Sequence, residues 1–111
     1  MTTEMKYTSY GVNYILEFKK CTYQNNGSLA IQVMCRCEGD EFLEPFCRLT
    51  VNLAVPPVSE ERAYIDTNNV PQDLIQMLLD ANIMKFTGTD QMSGWCIYPE
   101  AEFNHEWLES L

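Results

Sequence analysis

Period-two alternation of apolar and polar side chains, held over three consecutive runs, does most to narrow the folds open to this chain. In the first run, residues 12–22, Val12, Tyr14, Leu16 and Phe18 alternate with Asn13, Ile15, Glu17 and Lys19, the period of a half-buried strand. Gln24-Asn25-Asn26-Gly27-Ser28 follows, and Asn-Gly between alternating runs signals a tight turn. The second run, residues 29–37, places Leu29, Ile31, Val33, Cys35 and Cys37 on one face, with Gln32 and Arg36 on the other. Residues 38–44 read as a turn and residues 45–53 as a third strand. Cys47, Leu49, Val51 and Leu53 are expected inward there, with Arg48, Thr50 and Asn52 outward. Three strands with short connections make an antiparallel meander.

Beyond residue 53 the pattern changes. Val55-Pro56-Pro57-Val58 ends the third strand, because consecutive prolines cannot donate to a ladder. Residues 63–66 suit a short edge strand. Leu74, Ile75, Leu78 and Leu79, flanked by Met77, form an apolar stripe at helical spacing and predict a helix over 71–81. Pro71 fits its first position, Asn69 its cap, and Asn82 the left-handed residue that stops it. Two short strands are expected at 84–89 and 95–98 around a Ser93-Gly94 turn. The expected architecture is therefore α+β: an antiparallel sheet of about five to six strands with one principal helix packed on a face. The chain reads as a single domain over 1–111, with a loose N-terminus at 1–11. The acidic tail at 100–111 reads as a short helix whose face is Phe103, Trp107 and Leu108.

Charge narrows the function classes. Sixteen acidic residues against seven basic ones give a net charge of -9, so direct nucleic-acid binding is disfavoured. Lys19, Lys20, Arg36 and Arg48 are expected to share a sheet face, but acids outnumber them. Apolar content of 46% with 21% charged residues argues for a packed core over disorder. No apolar stretch approaches the roughly 20 residues of a membrane-spanning helix, and Met1-Thr2-Thr3-Glu4-Met5-Lys6 lacks the apolar core of a signal peptide. Five cysteines, an odd number without framework spacing, suit a reducing compartment. A cytoplasmic location with no membrane contact is the expectation.

No constellation in the sequence calls for catalysis, a cofactor or a metal. Cys35 and Cys37 on one strand face would hold their thiols about 7 Å apart, whereas a tetrahedral zinc needs sulfurs about 4 Å apart. A Cys96–His105 dyad would require positive charge to stabilise the thiolate, and that region is anionic. Asp66 and Asp73 flank the predicted helix start, where capping accounts for them. Gly88 and Gly94 lack the spacing and lysine of a phosphate loop. The candidate contact residues are instead two acidic clusters, Glu38, Asp40, Glu41 and Glu44, and Glu100, Glu102, Glu106 and Glu109. An aromatic group, Trp95, Tyr98, Phe103 and Trp107, joins them.

Four stretches occur in a telling order: Leu29-Ala30-Ile31-Gln32-Val33, Leu49-Thr50-Val51-Asn52-Leu53, Ile65-Asp66-Thr67-Asn68-Asn69, and Ser93-Gly94-Trp95-Cys96-Ile97-Tyr98-Pro99. Over roughly residues 12–103 the chain resembles a family of small uncharacterised proteins. That family is carried by phages, plasmids and conjugative elements of gut Firmicutes and Bacteroides. The resemblance implies an accessory gene on mobile DNA and carries over no catalytic residue. Some anti-CRISPR proteins look like members of such families. The implied function is a non-enzymatic acidic binding protein that inhibits a nucleic-acid-handling defence effector, such as a Cas nuclease, by charge mimicry. The alternative is an accessory protein-interaction module with no counter-defence role, docking through the aromatic group. An enzyme built on Cys96, or on Asp66 and Asp73, is a third and weaker reading.

Overall fold

A short strand, β1 (Met5–Ser9), opens the fold and pairs antiparallel with β2 (Val12–Thr22) through a two-residue turn. Tyr10 (φ 49°) and Gly11 (φ 77°) are both left-handed there, the backbone that matches the twist of a hairpin. The N-terminus expected to be loose over 1–11 is thus corrected: alternation sets Met5 and Tyr7 opposite Leu16 and Tyr14, and Tyr7 is buried. The computed structural model describes residues 4–57 and 59–111; the remainder of that segment, residues 1–3, lies outside them.

β3 (Leu29–Cys37) pairs with β2 over the full length expected, with Leu16 opposite Cys35 and Phe18 opposite Val33. β4 (Glu44–Arg48) completes a four-stranded sheet in the order β1-β2-β3-β4. The predicted third strand over 45–53 does not run through. It breaks at Leu49, whose N–H donates to the Ile31 carbonyl (2.9 Å) and whose carbonyl accepts from Asp66 N–H (3.0 Å). The chain turns a corner there and enters a second sheet as β5 (Thr50–Val51). The turn also reverses the expected facing of Thr50. Thr50 is buried, and its hydroxyl accepts from Ile31 N–H (3.2 Å) and shares a hydrogen bond with Tyr23 Oη (3.0 Å).

The second sheet has the order β5-β6-β8-β7, where β6 is Arg62–Ile65, β7 Met84–Ser93 and β8 Cys96–Phe103. The fold is α+β as expected, but with two four-stranded sheets in place of one sheet of five to six strands. β6, expected at an edge, lies between β5 and β8. The two short C-terminal strands are one long hairpin, with a bulge in β7 between Phe86 and Asp90.

Helix α1 (Gln72–Asp80) buries Leu74, Ile75 and Leu78, as its stripe predicts. Pro71 itself occupies the cap position, so Asn69 is not the cap; its side chain donates to Asp66 Oδ2 (3.0 Å). Asn82 is left-handed at φ 58°. Helix α2 (His105–Glu109) is capped by Asn104, whose side chain accepts from Trp107 N–H (3.0 Å). Leu16, Ile31 and Val33 from the first sheet meet Leu49, Ile65, Ala101 and Phe103 in one core, closed by Leu74, Leu78 and Leu108 from the helices. Each large aliphatic buried this way contributes about 1.5–3 kcal/mol. Among the described residues, no helix is long and apolar enough to cross a membrane.

Candidate functional site

The two acidic clusters meet opposite fates. Glu38, Asp40, Glu41 and Glu44 lie on or beside the β3–β4 loop, all exposed, and none makes an ion pair among the described residues. The loop is nonetheless shaped. Asp40 Oδ1 accepts from Phe42 N–H (3.2 Å), Arg36 Nη1 donates to the Asp40 carbonyl (3.1 Å), and Glu38 N–H donates to the Asn13 carbonyl (3.0 Å). Phe42 stands exposed among these carboxylates.

Glu100 does not belong to an exposed acidic surface. It lies on the central strand β8, only 3% exposed, and its Oε1 accepts from Thr87 Oγ1 (2.8 Å) and Arg62 Nη1 (3.4 Å). The other arm of Arg62 donates to Glu102 Oε2 (3.2 Å), so one guanidinium clamps two carboxylates from one strand. Glu106 and Glu109 remain exposed on α2. His105 Nδ1 bonds Glu61, and its Nε2 lies 3.9 Å from Glu109. Glu61, through that hydrogen bond and its charge, raises the His105 pKa above the ordinary 6.5. Within this cluster the charges of Glu100 and Glu102 are paired inside the chain, so these two are corrected from contact residues to structural ones, whereas Glu106 and Glu109 stay exposed.

The aromatic group splits as well. Phe103 is buried and stacks on Trp107 at 5.8 Å, and Trp107 packs edge-on against Phe18 at 5.4 Å. Phe103 is a core residue, and Trp107 is half-buried against the core. Tyr98 is half-buried. Trp95 alone of the four is fully exposed, in the β7–β8 turn. Beside it Met92 pairs with Ile97, and both are exposed, so the hairpin tip is an apolar protrusion.

Cys96 and His105, weighed as a dyad, lie far apart. Cys96 begins β8 and His105 follows its end, which separates them by about 25 Å at a strand rise of roughly 3.3 Å per residue. Asp73 accepts from Tyr7 Oη (2.8 Å), and burial, with that bond, pushes the Tyr7 pKa up to about 12. Burial, helped by the Asp66 charge, pushes the Cys47 thiol up to about 11; burial also raises Cys35. Cys35 and Cys37 sit at alternate positions of a regular strand, without the knuckle that zinc needs. Among the described residues no cluster of three or more His, Cys, Asp or Glu has the arrangement to hold a metal.

Sequence reasoning missed the Arg62 clamp. Its signal was present in register alone: Arg62 and Tyr64 share one strand face, as Glu100 and Glu102 share another. Pairing the two strands puts Arg62 opposite Glu102.

No curated protein and no solved structure matches the chain. Residues 16–111 match a family profile described as a domain of unknown function, DUF4313, from within β2 to the last residue of the sequence. The match takes in β3–β8, most of β2, the Leu49 corner and the two helices, leaving β1 outside, and the chain accordingly belongs to the DUF4313 family.

Proposed function

We propose that this chain is a non-enzymatic binding protein whose β3–β4 loop engages a basic surface on a protein partner. The observation that carries this reading is the loop itself: four exposed, unpaired carboxylates within seven residues, on a folded support. Such a loop can occupy a channel lined by lysine and arginine in place of nucleic acid. A nucleic-acid-handling defence effector of the Cas nuclease type is the partner proposed, because basic channels hold its nucleic acids. The setting proposed is an accessory gene of a phage, plasmid or conjugative element, acting in the cytoplasm. In a cleavage assay with a guide-loaded Cas9-type nuclease, the native chain should inhibit. Reversal of Glu38, Asp40, Glu41 and Glu44 to lysine should abolish inhibition. Added salt should weaken the native effect, since exposed charges are screened over about 8 Å. Inhibition unchanged by the reversal refutes charge mimicry.

The hairpin tip favours a second reading, an accessory module that docks through Trp95 with Met92 and Ile97. Capture that survives high salt and is lost in Trp95→Ala would mark this mode. Removal of residues 100–111 is no test of it, because Ala101, Phe103 and Leu108 belong to the core.

A further inference from the structure

The first sheet turns one face away from the core, and strand register decides which side chains share it. Lys19 on β2 is opposite Gln32 on β3, and Gln32 is opposite Arg48 on β4. Neighbouring strands lie about 4.8 Å apart and pleat together, so the three side chains form a row with the cations about 10 Å apart at their Cα atoms. Lys20, one residue on, faces the other way. The row lines a hollow of 230 Å³ together with Thr22, Tyr23 and Ala30.

The hollow is braced from beneath. Gln32 Nε2 donates to the carbonyls of Cys47 (3.0 Å) and Val33 (3.3 Å), tying the row to β4. Tyr23 is fixed through its hydroxyl to buried Thr50, and the Arg48 guanidinium carbon lies 5.9 Å from the centre of its ring. Neither Lys19 nor Arg48 makes an ion pair among the described residues, in a chain with 16 acids to 7 bases. Glu17, the acid on the same face of β2, stands one row away opposite Met34. Two cations without ion pairs lining one concavity, one of them set against the Tyr23 ring, make a donor set that suits an oxyanion.

We propose that this hollow binds a small molecule bearing a doubly charged oxyanion, a phosphate monoester or a dicarboxylate, between the Lys19 ammonium and the Arg48 guanidinium. Arg48 supplies the planar fork, and Lys19 a point charge on a long stem that reaches over Gln32. The ligand is small because the net charge of -9 repels an extended polyanion. The site is independent of the β3–β4 loop.

The test is a titration of the ¹⁵N-labelled full chain with inorganic phosphate and, separately, with malonate, followed by amide shifts. Saturable shifts confined to residues 19–23, 30–32 and 47–48 are expected. Lys19→Ala and Arg48→Ala should each weaken binding about tenfold or more, and Lys85→Ala should leave it unchanged. Tighter phosphate binding identifies a phosphate monoester as the ligand class, and tighter malonate binding a dicarboxylate. The proposal is overturned if neither ion gives saturable shifts up to about 20 mM, or if the shifts persist in both variants.

Discussion

The β3–β4 loop and the C-terminal segment hold the same number of candidate glutamates and aspartates, yet only the C-terminal segment has some of them tied into the fold. In the loop, four carboxylates face solvent without partners. In the C-terminal segment, Arg62 and Thr87 hold Glu100, Arg62 also holds Glu102, and His105 bridges Glu61 towards Glu109. Acidic composition therefore says little about where a basic partner can bind. What counts is whether a carboxylate's charge is already spent inside the chain.

Substitutions can break or sharpen that contrast, and the largest effect is expected at the clamp. Arg62→Ala leaves the buried Glu100 carboxylate without its cation and should destabilise the fold by about 3 kcal/mol, read as a fall of about 10–15 °C in Tm. Adding Glu100→Gln to Arg62→Ala should recover part of that loss by removing the uncompensated charge. If Arg62→Ala melts with the native chain, Glu100 is not held as described. Thr87→Val should cost less, about 1.5 kcal/mol by urea denaturation, because it removes one hydrogen bond to a charged group.

Glu61→Gln tests the outer part of the same segment. Its readout is the NMR titration of His105, which should fall back towards 6.5. The sign follows from the raised pKa. The contact between α2 and Glu61 is fully present below the unfolded value and is lost as pH rises through the folded one. A His105 titration identical in both proteins would remove this contact from the description. The smallest effect belongs to the loop: reversing Glu38, Asp40, Glu41 and Glu44 should move stability by no more than about 0.5 kcal/mol. A large destabilisation there would show that the loop carboxylates serve the fold.

Much of the fold was legible because it rests on local pattern. Alternation placed β2 and β3 at the observed residues, and the stripe of Leu74, Ile75 and Leu78 placed α1. The corner was not legible, because residues 45–53 alternate without a break and Leu49 is turned by bonds to Ile31 and Asp66, both distant in sequence. Strand β1 has only Met5 and Tyr7 on its inner face, too short an alternation to stand out before β2 covers it. In the candidate site, exposure of Glu38, Asp40, Glu41 and Glu44 followed from the turn character of residues 38–44. The burial of Glu100 did not, since it depends on Arg62, 38 positions away. The aromatics erred for a related reason: sequence spacing alone does not tell an aromatic that seals a core, such as Trp107, from one that stands free, such as Trp95.

The most direct measurement compares two charge-reversal variants in one inhibition assay, with a guide-loaded Cas9-type nuclease at low salt. One carries lysine at positions 38, 40, 41 and 44, the other lysine at 106 and 109, the exposed pair of the C-terminal segment. Loss of inhibition in the first with retention in the second is the predicted result. Equal inhibition by both variants and the native chain would contradict the assignment of binding to the unpaired loop.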